Sequence, residues 1–338
     1  MTRFVAKRLA HAVMTVVGVV LLTFAVLRIV PGDPVVAYAG ARATPDQLER
    51  ARQSLGLDAP LGTQLGDYLR GLAHGDWGTS IRTRHPVVGD LERFVPATVE
   101  LVLAALVLAV LVGVPLGLVA ARFRRSWADR GIRGGSLVLV STPAFVLALL
   151  LQNTLAGRLG WFPVAGEYDR TLDTTSPLTV YSNITLLDAA FTGNWPIVSS
   201  TLHHLVLPAL VVAAYPMGVV IAMTRASVLE QLSFDYVQLA RSLGFGRSAT
   251  LLRFATRPAM NPVVSILALV FAYSLANTFL VEAIFNWPGL GSYAAESISA
   301  LDAPAVAGVT LLVALVYVVA NLLVDVLQTL IDPRVRSW

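Results

Sequence analysis

Six stretches of the chain run for about 20 residues without a single Asp, Glu, Lys or Arg. They are Leu9–Leu27, Leu101–Ala121, Gly134–Gly157, Leu205–Thr224, Ala259–Val281 and Ala303–Val324. Each is a continuous run rich in Leu, Val and Ala, not an alternation of apolar and polar positions. A helix of about 20 apolar residues crosses the roughly 30 Å of bilayer hydrocarbon, whereas barrel strands are shorter and alternate. The pattern predicts an all-α membrane protein with six transmembrane helices. The fourth run extends upstream to Ala189, but Asn, Gly, Pro and two His there put the helix start near Leu205.

The polar stretches between the runs have their own periodicities. In the loop Pro31–Pro96, Pro31-Gly32-Asp33-Pro34 reads as a rigid turn. Thr44-Pro45-Asp46-Gln47 reads as a helix start, with Thr44 as N-cap and Gln47 closing a capping box. Leu48, Ala51 and Leu55 follow at helical spacing and Gly56 ends that element. Leu61, Leu65, Leu69 and Leu72 make a second stripe, broken by Gly75-Asp76-Trp77-Gly78-Thr79-Ser80. The two helices read either as a packed cap or as a docking surface. The segments Arg158–His204 and Glu282–Pro304 are further loops, the latter opening with the stiff turn Asn286-Trp287-Pro288-Gly289-Leu290-Gly291.

The segment Arg225–Pro258 is longer than a bundle connection needs. Phe234–Leu243 reads as a helix with Tyr236, Leu239, Ala240 and Leu243 on one face. Gly244-Phe245-Gly246 supplies a turn where positive φ is tolerated, and Arg247–Arg257 reads as a second helix. Such a hairpin is either a basic surface helix held on anionic lipid or a lever pressed by another protein.

Composition agrees with the pattern. Of 338 residues, 56% are hydrophobic and 14% are charged, against about 25% charged in a soluble domain. The chain lacks the charges for a soluble skin and is too apolar for disorder. There is no Cys, which excludes disulfides and thiol chemistry. The N-terminus, the loop after the second run, Arg225–Pro258 and the C-terminus hold 15 basic residues and four acids (Asp129, Glu230, Asp235, Asp332). The other side holds ten basic residues balanced by more acids. The positive-inside rule then predicts both termini in the cytoplasm. Ala37-Tyr38-Ala39 resembles a signal-peptide cleavage site. The first run is too long for a signal peptide, however, and Arg28 and Asp33 intervene, so it reads as a retained anchor.

Asp235-Tyr236-Val237-Gln238-Leu239-Ala240-Arg241-Ser242-Leu243-Gly244 resembles the EAA loop of ABC importer permeases. Gln238-Leu239-Ala240 stands for Glu-Ala-Ala, departing at the first two positions, and Gly244 stands for the motif's Gly. Further segments resemble the B-type permease of the dipeptide/oligopeptide branch. They are the basic N-terminus, Pro31-Gly32-Asp33-Pro34, Gly75–Ser80, Pro96–Leu101, Phe285–Gly291 and Asp332-Pro333-Arg334-Val335-Arg336. Only the stretch around Glu167–Trp195 shows little of the pattern.

The resemblance implies a type I ABC importer, with the MetI-like fold and a bacterial cell-membrane location. It implies a boundary after residue 30 and an extracytoplasmic loop over 31–97. The transmembrane core would be 98–338, with a coupling loop at 225–258 and an extracytoplasmic insert at 158–204. The implied partners are a homologous second permease, two ABC ATPase subunits, an external substrate-binding protein, membrane lipid and a peptide substrate, with no nucleic acid. Asp235, Tyr236, Gln238, Leu239, Ala240, Arg241 and Gly244 would form the coupling helix that docks on one ATPase, with Asp235 capping it. Nickel chelates or another small solute are alternative substrates.

The chemistry carried by this chain is sparse. A phosphate-binding loop of the Walker type needs Lys, and the single lysine is Lys7, so ATP and Mg belong to partner subunits and the chain needs no cofactor of its own. No metal-ligand spacing and no nucleophile–base set is present, so the chain does not read as an enzyme. His203-His204 point to different faces. Asn321, Asp325 and Gln328 form a polar stripe late in the last run, expected to bond a neighbouring helix. A secondary transporter or channel would show intramembrane ions or inverted repeats, and neither stands out. Gly113, Pro115, Gly117, Pro143, Pro216 and Gly218 fall inside runs and read as close-packing or bending points.

Overall fold

A computed structural model describes residues 2–29, 35, 43–54 and 58–331. In chain order the helices are α1 (Thr2–Ile29), α2 (Pro45–Ser54), α3 (Leu61–Ala73), α4 (Val87–Arg122) and α5 (Trp127–Ser141). Then follow α6 (Ala144–Leu151, continued by wider turns over Gln152–Arg158), α7 (Leu172–Thr175), α8 (Thr185–Phe191), α9 (Trp195–Gln231) and α10 (Asp235–Ser242). The last are α11 (Arg247–Ala249, continued by wider turns over Thr250–Ala255), α12 (Thr256–Asn277), α13 (Phe279–Phe285), α14 (Leu290–Ser299) and α15 (Ala303–Ile331). Among the described residues there is no strand, only the isolated bridge between Thr79 and Pro86.

Helices α4 and α9 and the path Arg247–Leu275 are each long and apolar enough to cross a membrane. The third uncharged run is not one straight helix. It breaks between α5 and α6 with a bend of 103°, and counts as a fourth crossing only if both arms are taken together. The cause is Pro143, which has no N–H to continue the helix and pushes Thr142 into an extended conformation. The fifth run also departs from expectation: α12 stops at Asn277 and α13 takes over. Arg247–Arg257 is not a separate helix but runs on into α12. Among the described residues the first and last runs contain the shorter apolar stretches Val13–Ala25 and Ala303–Val319.

The chain divides into two compact units. The first comprises Met1–Ala97 and Pro288–Val319. Here the capping box at the start of α2 is present: the Thr44 N–H donates to Gln47 Oε1 at 2.9 Å, and the Gln47 N–H to Thr44 Oγ1 at 3.4 Å. The leucine stripe of α3 is not a packed face, since none of its residues is buried. The turn Gly75–Ser80 uses positive φ at Gly75 and Gly78. A buried carboxylate fixes the segment that follows: Asp302 Oδ2 accepts from Ser80 Oγ at 2.5 Å and from the Arg82 N–H at 3.0 Å. Asp90 accepts from Thr83 Oγ1 at 2.5 Å and from Tyr293 OH at 2.9 Å. Burial, and then Asp90, pushes the Tyr293 phenol above its ordinary pKa. Val87, Leu91, Leu290, Tyr293 and Ala305 form the apolar core beneath.

The second unit comprises Thr98–Trp287 and Ala320–Trp338. Helix α9 is its axis, packed against α5, α8 and α12. Small residues set the approach. A Cβ on Gly117 would lie 2.6 Å from the Thr224 Cβ, and one on Gly218 would lie 2.7 Å from the Ser136 carbonyl oxygen. Those glycines let backbones close together, the packing expected of Gly in membrane helices. Ala121, Val228, Leu251, Ala255 and Ala259 make a second apolar cluster.

The insert over 158–204 is held by carboxylates. Asp188 accepts from the N–H groups of Tyr181 and Ser182 and from Ser182 Oγ. Buried Glu100 accepts the Leu186 N–H at 3.2 Å. Asn194 caps α9 and donates to the Ser176 carbonyl at 2.9 Å. Burial pushes the Glu167 carboxyl above its ordinary pKa, with the Thr185 hydroxyl and Arg170 opposing.

Candidate functional site

The seven residues predicted for coupling fall on one hairpin, α10 and the turn after it. Asp235 does not cap the helix. The N-cap position is Phe234, which makes no side-chain hydrogen bond, and Asp235 is the first helical residue. The chain enters α10 one residue earlier than a capping role requires, so the carboxylate complements only the positive end of the helix dipole. Val237 and Ala240 are buried, and α10 packs on the turns Thr250–Ala255. The opposite face is open: Tyr236, Leu239 and Leu243 are 44%, 61% and 70% exposed. Gln238 donates to the Leu232 carbonyl at 3.2 Å. Tyr236 OH donates to Gln231 Oε1 at 2.7 Å.

The helix closes on a Schellman turn. The Gly244 N–H donates to the Arg241 carbonyl at 3.0 Å and the Phe245 N–H to the Ala240 carbonyl at 3.2 Å. Gly244 adopts φ of +91°, and a Cβ there would meet nothing within 4 Å. The demand for glycine is therefore conformational and not a matter of space. Phe245 then packs edge-on against Phe254, with ring centroids 5.1 Å apart.

The bundle next to the hairpin is tied by a pair that sequence spacing did not single out. Arg225 Nε donates to Asp129 Oδ1 at 2.6 Å and its Nη2 to Asp129 Oδ2 at 3.0 Å. Asp129 also accepts the Arg125 N–H at 2.9 Å. The fork joins the start of α5 to the last turns of α9, from which α10 follows.

A second feature lies at the break between α5 and α6. A cavity of about 340 Å3 is lined there by Thr142, Pro143, Tyr215, Pro216, Tyr273 and Asn277 among others, with no charged residue. The rings of Tyr215 and Tyr273 stand 4.8 Å apart. Sequence reasoning flagged the two prolines but not Tyr215, Tyr273 or Asn277. A proline inside a membrane helix frees backbone carbonyls, which face polar or enclosed space. The lining offers hydroxyl and amide groups and no charged side chain.

The remaining candidates stand apart. Asn321 is half-buried in α15, whereas the side chains of Asp325 and Gln328 fall outside the described residues, as do Pro31–Pro34, Ala37–Ala39, Gly56 and Asp332–Arg336. The adjacent histidines serve different partners: His203 Nε2 is 2.9 Å from the Trp161 carbonyl oxygen and His204 Nδ1 is 2.8 Å from that of Ser200.

Comparison with known proteins matches this architecture along the chain. Residues 113–337 match the binding-protein-dependent transport system inner membrane component, and residues 1–102 match the N-terminal region of such membrane components. A probable D,D-dipeptide transport system permease protein of Escherichia coli is 42% identical over 96% of this chain and 94% of its own length. A dipeptide transport system permease protein of the same species is 38% identical over 99% of both chains. One from Alkalihalophilus pseudofirmus is 34% identical over 99% of this chain and 100% of its own. The chain belongs to the family of inner membrane components of binding-protein-dependent transport systems, and is a permease subunit.

Proposed function

We propose that the chain is one of two related permeases of an ATP-driven importer, carrying di- or oligopeptides handed over by an external binding protein. In this reading it crosses the membrane six times with both termini in the cytoplasm, and two ATPase subunits sit against its cytoplasmic face. The observation that carries the proposal is the hairpin. It is locked inward by Val237, Ala240 and the Gly244 turn, yet leaves Tyr236, Leu239 and Leu243 exposed. An apolar face this well fixed in a polar loop has the form of a docking element. The dipeptide names of the relatives support the substrate class.

The work divides by chemistry. ATP and Mg act in the ATPases, because the only lysine is Lys7. Closure of the ATPases would push α10 as a rigid lever, and the Asp129–Arg225 fork would pass that push to α5 and α9. The bend at Pro143 and Pro216 within α9 both border the cavity, so movement of α5 against α9 would open or close it. Its uncharged lining would let peptides pass without strong retention, leaving selectivity to the binding protein. Affinity purification of the tagged chain tests the assembly. It should bring down a related permease and two ATPases. A lone homo-oligomer that transports in liposomes without ATP would contradict the proposal.

A further inference from the structure

Beside the hairpin, four arginines line one cleft of about 600 Å3: Arg122 at the end of α4, Arg124 in the turn after it, Arg241 from α10 and Arg247 from α11. Ser233 and Gln238 also line the cleft, their side chains donating to the Glu230 and Leu232 carbonyls, and no carboxylate lines it. Asp129, the buried acid of this region, is already committed to Arg225. Four like charges around one concavity repel one another and concentrate positive potential, which an anion relieves. Guanidinium forks take phosphate or carboxylate oxygens in bidentate pairs. Aromatic side chains lie next to these arginines in the chain. Arg122 lies over the exposed Phe123 ring, 5.4 Å from its centroid, and Arg130 lies 4.6 Å over Trp127, which is 80% exposed. Exposed Trp among arginines at a helix end is a feature of the lipid-headgroup level.

We propose that this cleft binds a phosphate-bearing anion, supplied by the headgroup of an acidic phospholipid. The lipid source rests on the cytoplasmic placement proposed above, because anionic lipid draws basic pockets on that side. The bound phosphate bridges the end of α4 to the hairpin, since Arg122 and Arg124 lie at one and Arg241 on the other. It thereby neutralises the repulsion within the cleft and steadies α10.

The test uses the purified full-length chain, titrated with phosphatidylglycerol, phosphatidylcholine and inorganic phosphate and read by native mass spectrometry. Phosphatidylglycerol should bind in preference to phosphatidylcholine. Arg122→Gln with Arg124→Gln should weaken that binding about tenfold or more, Arg122→Lys with Arg124→Lys, which keeps the charge and loses the fork, should weaken it by less, and Arg50→Gln with Arg158→Gln should not change it. Inorganic phosphate binding as tightly as the lipid would keep the anion site and overturn the lipid source. Equal binding of the two lipids, or a double Gln variant like wild type, would overturn the site. Loss of the lipid whenever ATPase subunits are bound would show that the arginines serve an acidic protein surface instead, which also overturns it. An impermeant maleimide on an Ala128→Cys variant separates the two readings. Labelling from the outside alone would refute the cytoplasmic placement while leaving the binding result intact.

Discussion

Asp129 and Arg225 stand 96 residues apart in the chain and 2.6 Å apart in space. No spacing rule joins them, because neither lies within a helical turn of the other. The same holds for Ser80 and Asp302, 222 residues apart and bonded at 2.5 Å. Such pairs are set by tertiary packing, which one sequence does not display. Their energetic weight is that of buried charge. Asp129→Asn keeps the shape and leaves Arg225 without its anion. It should lower stability by about 3 kcal/mol, read as a drop in the thermal unfolding midpoint of the purified chain, and Arg225→Met together with it should recover part of the loss. Glu167 gives a pH signature of opposite origin. Burial raises its carboxyl pKa above the ordinary 4.5, so the folded chain prefers the protonated acid. That stability is fully present below pH 4.5 and is lost as pH rises through the raised value. Glu167→Gln should remove this dependence and raise the midpoint at neutral pH, measured by unfolding over a pH series.

Elements were more legible than pairs where their cause is local. The Thr44 and Gln47 capping box needs only four consecutive residues, and the structure contains it. The turn at Gly244 likewise follows from one residue type that tolerates φ of +91°. Asp235 misled because a cap depends on where the chain enters the helix, and the N-cap position falls on Phe234. Pro143 was visible as a bend, but not its 103°, and Tyr215 and Tyr273, which line the cavity beside it, come from the fourth and fifth runs. The cavity was for that reason unreadable from the third run alone. Gly244→Val puts a β-branched residue in the left-handed region, where even Ala costs about 1 kcal/mol. It should abolish ATP-dependent uptake while the variant still inserts at the wild-type level. Wild-type uptake would remove the hairpin from the coupling route.

At the scale of the whole molecule, charge is rationed. Only 14% of residues are charged, and in the structure many of those serve as joints: Asp302 and Asp90 in the first unit, and Asp129, Asp188 and Glu100 in the second. None lines the cavity at the Pro143 break. In the function proposed above, such a subunit draws its energy from a partner that engages the exposed face of α10. The most direct measurement is peptide uptake by the reconstituted importer carrying Leu239→Asp. Leu239 is exposed, so the change leaves the bundle intact while placing a charge at the centre of the docking face. Uptake should fall to the level without ATP, with the variant chain still inserted and its unfolding midpoint unchanged. Uptake at the wild-type rate would contradict the account.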